Sequence, residues 1–260
     1  MSKAQILAIF ASVVLFVALY FGFDTKPDKQ KSIEHSRSLQ GESTSFETLL
    51  QEATTHLSPA QLTQVSDIEK QIEAATEDQK RVELLKMLSG IWYDFNQLPI
   101  AGGFAEKVAE LENVDSTWSV AGGTFFNALV ASKDPTVRQY CADHAVKAFE
   151  SAASLAPDVV EHRVNLALVW AESPPPDNPM QAVLMLRELV AKYPQSASVY
   201  NALGRLAIKT GQWQRATERL EQSWSLDKKN PNTPCLLAKA YEGTGNIAKA
   251  TEYEALCKGQ

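Results

Sequence analysis

Apolar residues recur at steps of three and four along most of this chain, and the clearest run lies between Ala197 and Asn230. Tyr200, Leu203, Gly204 and Ala207 fall on one face of a helix with about 3.6 residues per turn. Gly211 breaks that helix, and Ala216, Leu220 and Ser223 mark the inner face of a second one. Small residues at Gly204 and Ala216 let the two backbones approach closely, which predicts an antiparallel helical hairpin.

The same pattern extends in both directions. Thr44-x-x-Glu47 predicts a capping box ahead of Phe46, Leu49, Leu50 and Ala53. Ser58-Pro59 reads as N-cap and first-turn proline of a helix through Leu62, Val65, Ile68 and Ile72. Thr76-x-x-Gln79 predicts another box before Val82, Leu85, Leu88 and Trp92, and helices near 77–95 and 101–113 are expected to pair. Trp118, Ala121, Gly122 and Phe125 repeat the first-helix pattern, with Ala145, Phe149 and Ala152 following Asp134-Pro135. That unit is about 11 residues longer than the regular one, which predicts extended helices. Leu166, Ala167 and Trp170, then Ala182 and Leu186, make a further unit with Pro174–Pro179 inserted as a rigid spacer. Leu237, Ala238 and Tyr241, then Gly245 and Ala250, make the last, where Glu254 stands in place of a bulky apolar residue. The predicted fold is all-α.

Ahead of these helices, no residue between Lys3 and Asp24 is charged, and Ile6 to Phe23 is almost wholly apolar. At about 1.5 Å per residue the stretch reaches ~30 Å, the thickness of a bilayer core. A cleavable signal peptide is the rival, but its apolar region is usually only ~7–15 residues long. No small-x-small site follows here. Residues 1–23 are therefore expected to form a transmembrane anchor and 24–43 a polar tether. The chain is expected to be a single-pass inner-membrane protein. Its short N-tail favours a periplasmic domain, while Lys26, Lys29, Lys31 and Arg37 leave the cytoplasmic side open.

The spacing of Tyr200, Leu203-Gly204, Ala207, Ala216 and Leu220 resembles the 34-residue signature of the tetratricopeptide (TPR) repeat. The match is specific in the final two units, fair in the two before and faint before residue 100. It implies leading helices and a degenerate hairpin over 44–115, then a right-handed TPR solenoid over 116–260. The whole order of segments is similar to a group of bacterial membrane-anchored TPR proteins, and more distantly to the TPR assembly factors of cytochrome c maturation.

In the TPR family the first helices line a concave groove that binds protein or peptide partners. Carried onto this sequence, its groove positions select Ser198, Asn201, Arg205 and Lys209, then Asn232, Cys235, Lys239 and Glu242, and Val164, Leu168 and Glu172. Arg205, Lys209 and Lys239 would make a local positive patch able to take the carboxylates of a peptide. The carboxylate clamp of some TPR adaptors is missing, because Val164, Leu168 and Leu236 stand where it needs polar side chains.

With 260 residues, 45% apolar and 22% charged, the chain can bury a sizeable core, and its net charge of −6 offers no basic surface for nucleic acid. Cys141, Cys235 and Cys257 cannot all pair with one another and form no C-x-x-C or Cys/His framework. Each is expected to be a small buried residue, and unpaired thiols fit a reducing compartment slightly better. Cys141 and His144 lie one helical turn apart, which keeps a helical enzyme open as an alternative. No orienting group, zinc motif, nucleophile elbow or phosphate loop accompanies them, and Gly102-Gly103 and Gly122-Gly123 lie in helical contexts. The expectation is therefore a membrane-tethered binding scaffold without catalysis, cofactor, metal or small-molecule substrate. A self-associating structural envelope protein that takes no client is the first alternative, and the helical enzyme using Cys141 and His144 the second.

Overall fold

The computed structural model describes residues 44–259 together with Gln5, and among the described residues the chain from Ser45 onward is built from twelve α-helices without a strand. Two helices lead, α1 (Phe46–Thr55) and α2 (Pro59–Ala74), before the hairpin of α3 (Asp78–Asp94) and α4 (Leu98–Glu112). Four more hairpins follow in order. They are α5 (Asp115–Ala131) with α6 (Pro135–Leu155), and α7 (Val160–Glu172) with α8 (Gln181–Lys192). The last two are α9 (Ala197–Lys209) with α10 (Trp213–Leu226), and α11 (Asn232–Gly243) with α12 (Ile247–Lys258).

Local chemistry starts and stops these helices. Ser58 and Gln61 form the expected reciprocal box at α2, with Pro59 in the first turn. Asp134 caps α6 by accepting from the backbone N–H groups of Thr136 and Val137. At φ 69° and 78°, Gly211 and Gly245 make the reversals inside the last two hairpins, a region that residues with a Cβ avoid. Two boxes are placed differently from expectation. Ser45 rather than Thr44 caps α1, so Glu47 falls one position too early to close a box. At α3 the cap is Glu77, which makes no side-chain cap bond, and Thr76 lies outside the helix. The long unit does have extended helices, 17 residues in α5 and 21 in α6, against 13 and 14 in α9 and α10.

Stacking follows from what each hairpin leaves uncovered. From α2 onward every helix packs on the next in sequence, while α1 packs on α4, and the first helices α5, α7, α9 and α11 also touch in succession to form one wall. Within hairpins a large side chain of the second helix sits on a small residue of the first. A Cβ at Gly122 would lie 2.9 Å from the Phe149 ring, and one at Gly204 would overlap the Leu220 side chain. Ala167 and Leu186, both fully buried, meet in the same way between α7 and α8. The leading helices belong to the same body. Ala53, Val65 and Ile68 pack with Leu88, Trp92 and Phe104, and Phe46 lies edge-on to Phe104 at 5.1 Å.

Two expectations are overturned. Cys235 and Cys257 are disulfide-bonded, with their Cα atoms 4.9 Å apart. The antiparallel path of the last hairpin sets the start of α11 beside the end of α12, a proximity that cysteine counting does not reveal. The slight preference for a reducing compartment loses its premise. Cys141 alone is free and buried. The second correction concerns the membrane. No helix among the described residues is long and apolar enough to cross a bilayer, because their apolar residues form stripes rather than continuous runs. The single-pass membrane assignment is therefore not supported. The expected anchor over 1–23 and tether over 24–43 fall outside the described residues, apart from Gln5.

Gly204→Ala is expected to lower stability by about 1–3 kcal/mol, since the added methyl must displace buried Leu220. A denaturant midpoint equal to that of the wild type would contradict this packing. Opening the disulfide, which closes 22 residues, should cost about 3 kcal/mol in the chain-entropy view. Amide exchange should rise first in α12, which buries no residue of its own. Protection of α12 that is indifferent to reduction would show that the bond does not hold it.

Candidate functional site

The wall made by α5, α7, α9 and α11 carries all eleven groove residues selected from the sequence, on α7, α9 and α11. Adjacent first helices are tied across it by side chains. Ser198 on α9 donates to Glu161 on α7 at 3.2 Å, and Asn201 on α9 donates to Thr233 on α11 at 2.9 Å. Asn201 is buried, so its amide serves this tie. Lys209 reaches back to α7, 2.7 Å from the Glu172 carboxylate and 2.6 Å from the Ala171 carbonyl oxygen.

Arg205 goes furthest. Its guanidinium lies 5.9 Å from the ring centre of Phe126 on α5, past the intervening α7, which is possible only if both side chains look across the same concavity. Lys239 and Glu242 on α11 are exposed, and no ion pair joins either to another described residue. The structure thus gathers the predicted cations on one wall but divides their roles. Glu172 neutralises Lys209, which leaves Arg205 and Lys239 as the uncompensated positive groups. Cys235, which the family offsets also assign to the groove, is bonded to α12 instead.

Two polar clusters were not visible as such in the sequence. His162 is buried between α5 and α7, with Nδ1 3.1 Å from the Ser119 hydroxyl and Nε2 3.0 Å from the Asp115 carboxylate. The residue types are those of a Ser-His-Asp triad. Asp115 and Ser119, however, are neighbours on one helical face, with the ring clamped between them, and the Ser119 backbone N–H belongs to the helix. A carbonyl attacked at this hydroxyl would find no oxyanion donor. The cluster reads as a tie between first helices.

The second cluster joins α4 to α6. Glu106 is buried, accepts from His144 Nδ1 at 2.5 Å and forms an ion pair with Lys147, whose Nζ lies 2.8 Å from Oε1, while the His144 ring packs on Tyr140 at 4.3 Å. No hydrogen bond joins Cys141 to His144, and burial pushes the Cys141 thiol up to about 12, with only partial relief from Arg138. The thiolate that a nucleophile needs is therefore scarce at neutral pH. His144 is committed to Glu106. The two residues do not form the pair that the enzyme alternative requires.

Burial pushes the Glu106 pKa up, but the His144 hydrogen bond and the adjacent Lys147 ammonium outweigh it and hold it below its ordinary 4.5. A depressed carboxylate contributes stability that is present above pH 4.5 and lost as pH falls through the folded pKa. Glu106→Gln should therefore be less stable than wild type by about 1–3 kcal/mol at pH 7, with the gap closing in acid. Denaturation curves at pH 7 and pH 3 with the same gap would refute this.

No protein-family model and no curated protein matches the chain. Solved structures do. A tetratricopeptide repeat protein from Parabacteroides merdae superposes with a TM-score of 0.50 at 11% identity, over 80% of this chain and 77% of that one. The TPR protein TTC0263 from Thermus thermophilus is similar at a TM-score of 0.49 and 16% identity, covering 68% of this chain and 89% of that one. A MamA fragment from Desulfovibrio magneticus gives 0.41 and 17%, covering 68% and 93%. The likeness to the Parabacteroides merdae protein gives this chain the tetratricopeptide-repeat fold. These structures do not bear on the narrower resemblance to membrane-anchored or cytochrome c maturation proteins.

Proposed function

We propose that this chain is a protein-interaction scaffold that takes a peptide segment of a partner in the concavity lined by α5, α7, α9 and α11. The carrying observation is the reach of Arg205 across α7 to Phe126, beside exposed Lys239. A guanidinium over an aromatic face and a free ammonium in one groove suit a peptide with carboxylates and at least one apolar side chain. Lys209 and Glu172, paired to each other, and Asn201, bonded to Thr233, set the spacing of the wall. Glu242 would disfavour an acidic residue at the far end of the bound peptide. Residues 116–260 form the binding solenoid in this reading, with 44–115 closing its first end. No catalytic step is assigned to any residue. The mechanism is geometric, because stacked hairpins hold the groove rigid and spare the partner much of the ordering cost.

Selection of random peptides on the immobilised chain, followed by anisotropy on the enriched peptides, tests the proposal. Acid-containing sequences are expected, with affinity falling about tenfold or more in Arg205→Glu/Lys239→Glu. Failure to enrich any peptide, or equal binding to that variant, would overturn the groove assignment.

A further inference from the structure

On the opposite side of α9 from Arg205 and Lys209, a second concavity of about 620 Å³ lies between α8 and α10. Val183 of α8 and Leu203 and Leu206 of α9 give it an apolar lining. Arg187 of α8 and Arg215 and Arg219 of α10 stand on its two sides. Its origin lies in the sequence. The Pro174–Pro179 insertion delays the start of α8, and α8 packs less closely on α9 than α10 packs on α11. The apolar side chains that this looser packing leaves open line the cleft.

The charge pattern names the occupant. No carboxylate side chain lines the cleft, and no described carboxylate is ion-paired to any of the three guanidinium groups. Arg215 donates to the Gln212 side chain at 2.6 Å, which leaves its positive charge uncompensated. Three unpaired arginines over an aliphatic floor stand out in a chain whose net charge is −6. Guanidinium groups bind carboxylates in bidentate fashion and are less strongly hydrated than ammonium groups, so they can be partly covered without a large penalty.

We infer that this cleft is a second docking surface, distinct from the groove, and that it takes an acidic amphipathic helix of a partner protein. The apolar stripe of such a helix would lie on Leu203 and Leu206, and glutamates on its two flanks would meet Arg187 on one side and Arg215 and Arg219 on the other. The two outer helices that frame the cleft have 12 and 14 residues, so a partner helix of about three to four turns would match their length. The scaffold would then hold two partner segments at once, one on each side of α9.

The test uses the full chain and a labelled helical peptide of about 14 residues with leucines at steps of three and four and flanking glutamates. Anisotropy should report binding that weakens steeply with salt and drops about tenfold or more when the glutamates become glutamines. Arg187→Glu/Arg219→Glu should lose binding to a similar extent, and Arg187→Lys/Arg219→Lys should restore part of it. Circular dichroism checks that these variants fold. Because the groove also accepts acidic peptides, the comparison is made in the groove variant Arg205→Glu/Lys239→Glu, which should keep a peptide site that the added Arg187→Glu/Arg219→Glu removes, and this keeps failure here separate from failure of the groove reading. The inference is overturned if the glutamine peptide binds equally well, or if only the groove variant loses binding. It is also overturned if decanoate but not the peptide binds, or if the cleft variants abolish a dimer of the chain without affecting the peptide.

Discussion

Placement of a large side chain of one helix over a small residue of its partner is the contact on which the repeats depend. Phe149 covers Gly122, Leu186 meets Ala167, and Leu220 covers Gly204. Where the small residue is glycine, the second helix comes close enough for each hairpin to bury a dense strip with few large residues. That strip leaves the flanks of both helices bare, so one hairpin alone exposes apolar surface and must stack. A continuous row of first helices follows, and with it the wall that carries Arg205 and Lys239.

The last hairpin departs from this rule and is held in another way. Glu254 stands where Phe149, Leu186 and Leu220 stand in the other units; it is exposed and paired with Lys258. α12 buries no residue. Its attachment comes from the Cys235–Cys257 bond, the stacking of Tyr253 on Tyr241 at 5.7 Å, and Lys249 reaching Glu221 on α10 at 3.0 Å. The covalent clamp and the Tyr253 stack thus hold a helix that buries little of its own surface and leaves Ile247 and Leu256 exposed.

Polar side chains between first helices set the spacing of the wall, and they separate structural from available charges. Glu161–Ser198, Glu172–Lys209, Asn201–Thr233 and His162 with Asp115 and Ser119 all bridge consecutive first helices. Each removes a polar group from the set that a partner could meet. The groups left over, Arg205 and Lys239 in the groove and three arginines in the outer cleft, are the ones to which a binding role can be given.

The sequence by itself determined the helices, the pairing into hairpins and the small-on-large contacts within them, since these depend on neighbours a few to a few tens of residues apart and leave a periodic trace. It also exposed the irregular units, because the extra residues of α5 and α6 and the proline insertion are visible as breaks in spacing. The partners of groove side chains were decided only by the fold. Lys209 and Glu172, like Asn201 and Thr233, meet through the rise and rotation from one hairpin to the next, which no local pattern encodes. The same reason hid the Ser119–His162–Asp115 cluster, whereas the cysteine bond was hidden because spacing alone does not say which two of three cysteines the antiparallel path of the last hairpin brings together. The helices follow from short-range periodicity, but the disposition of charge follows from how hairpins stack, and that geometry exists only once the core between them is packed.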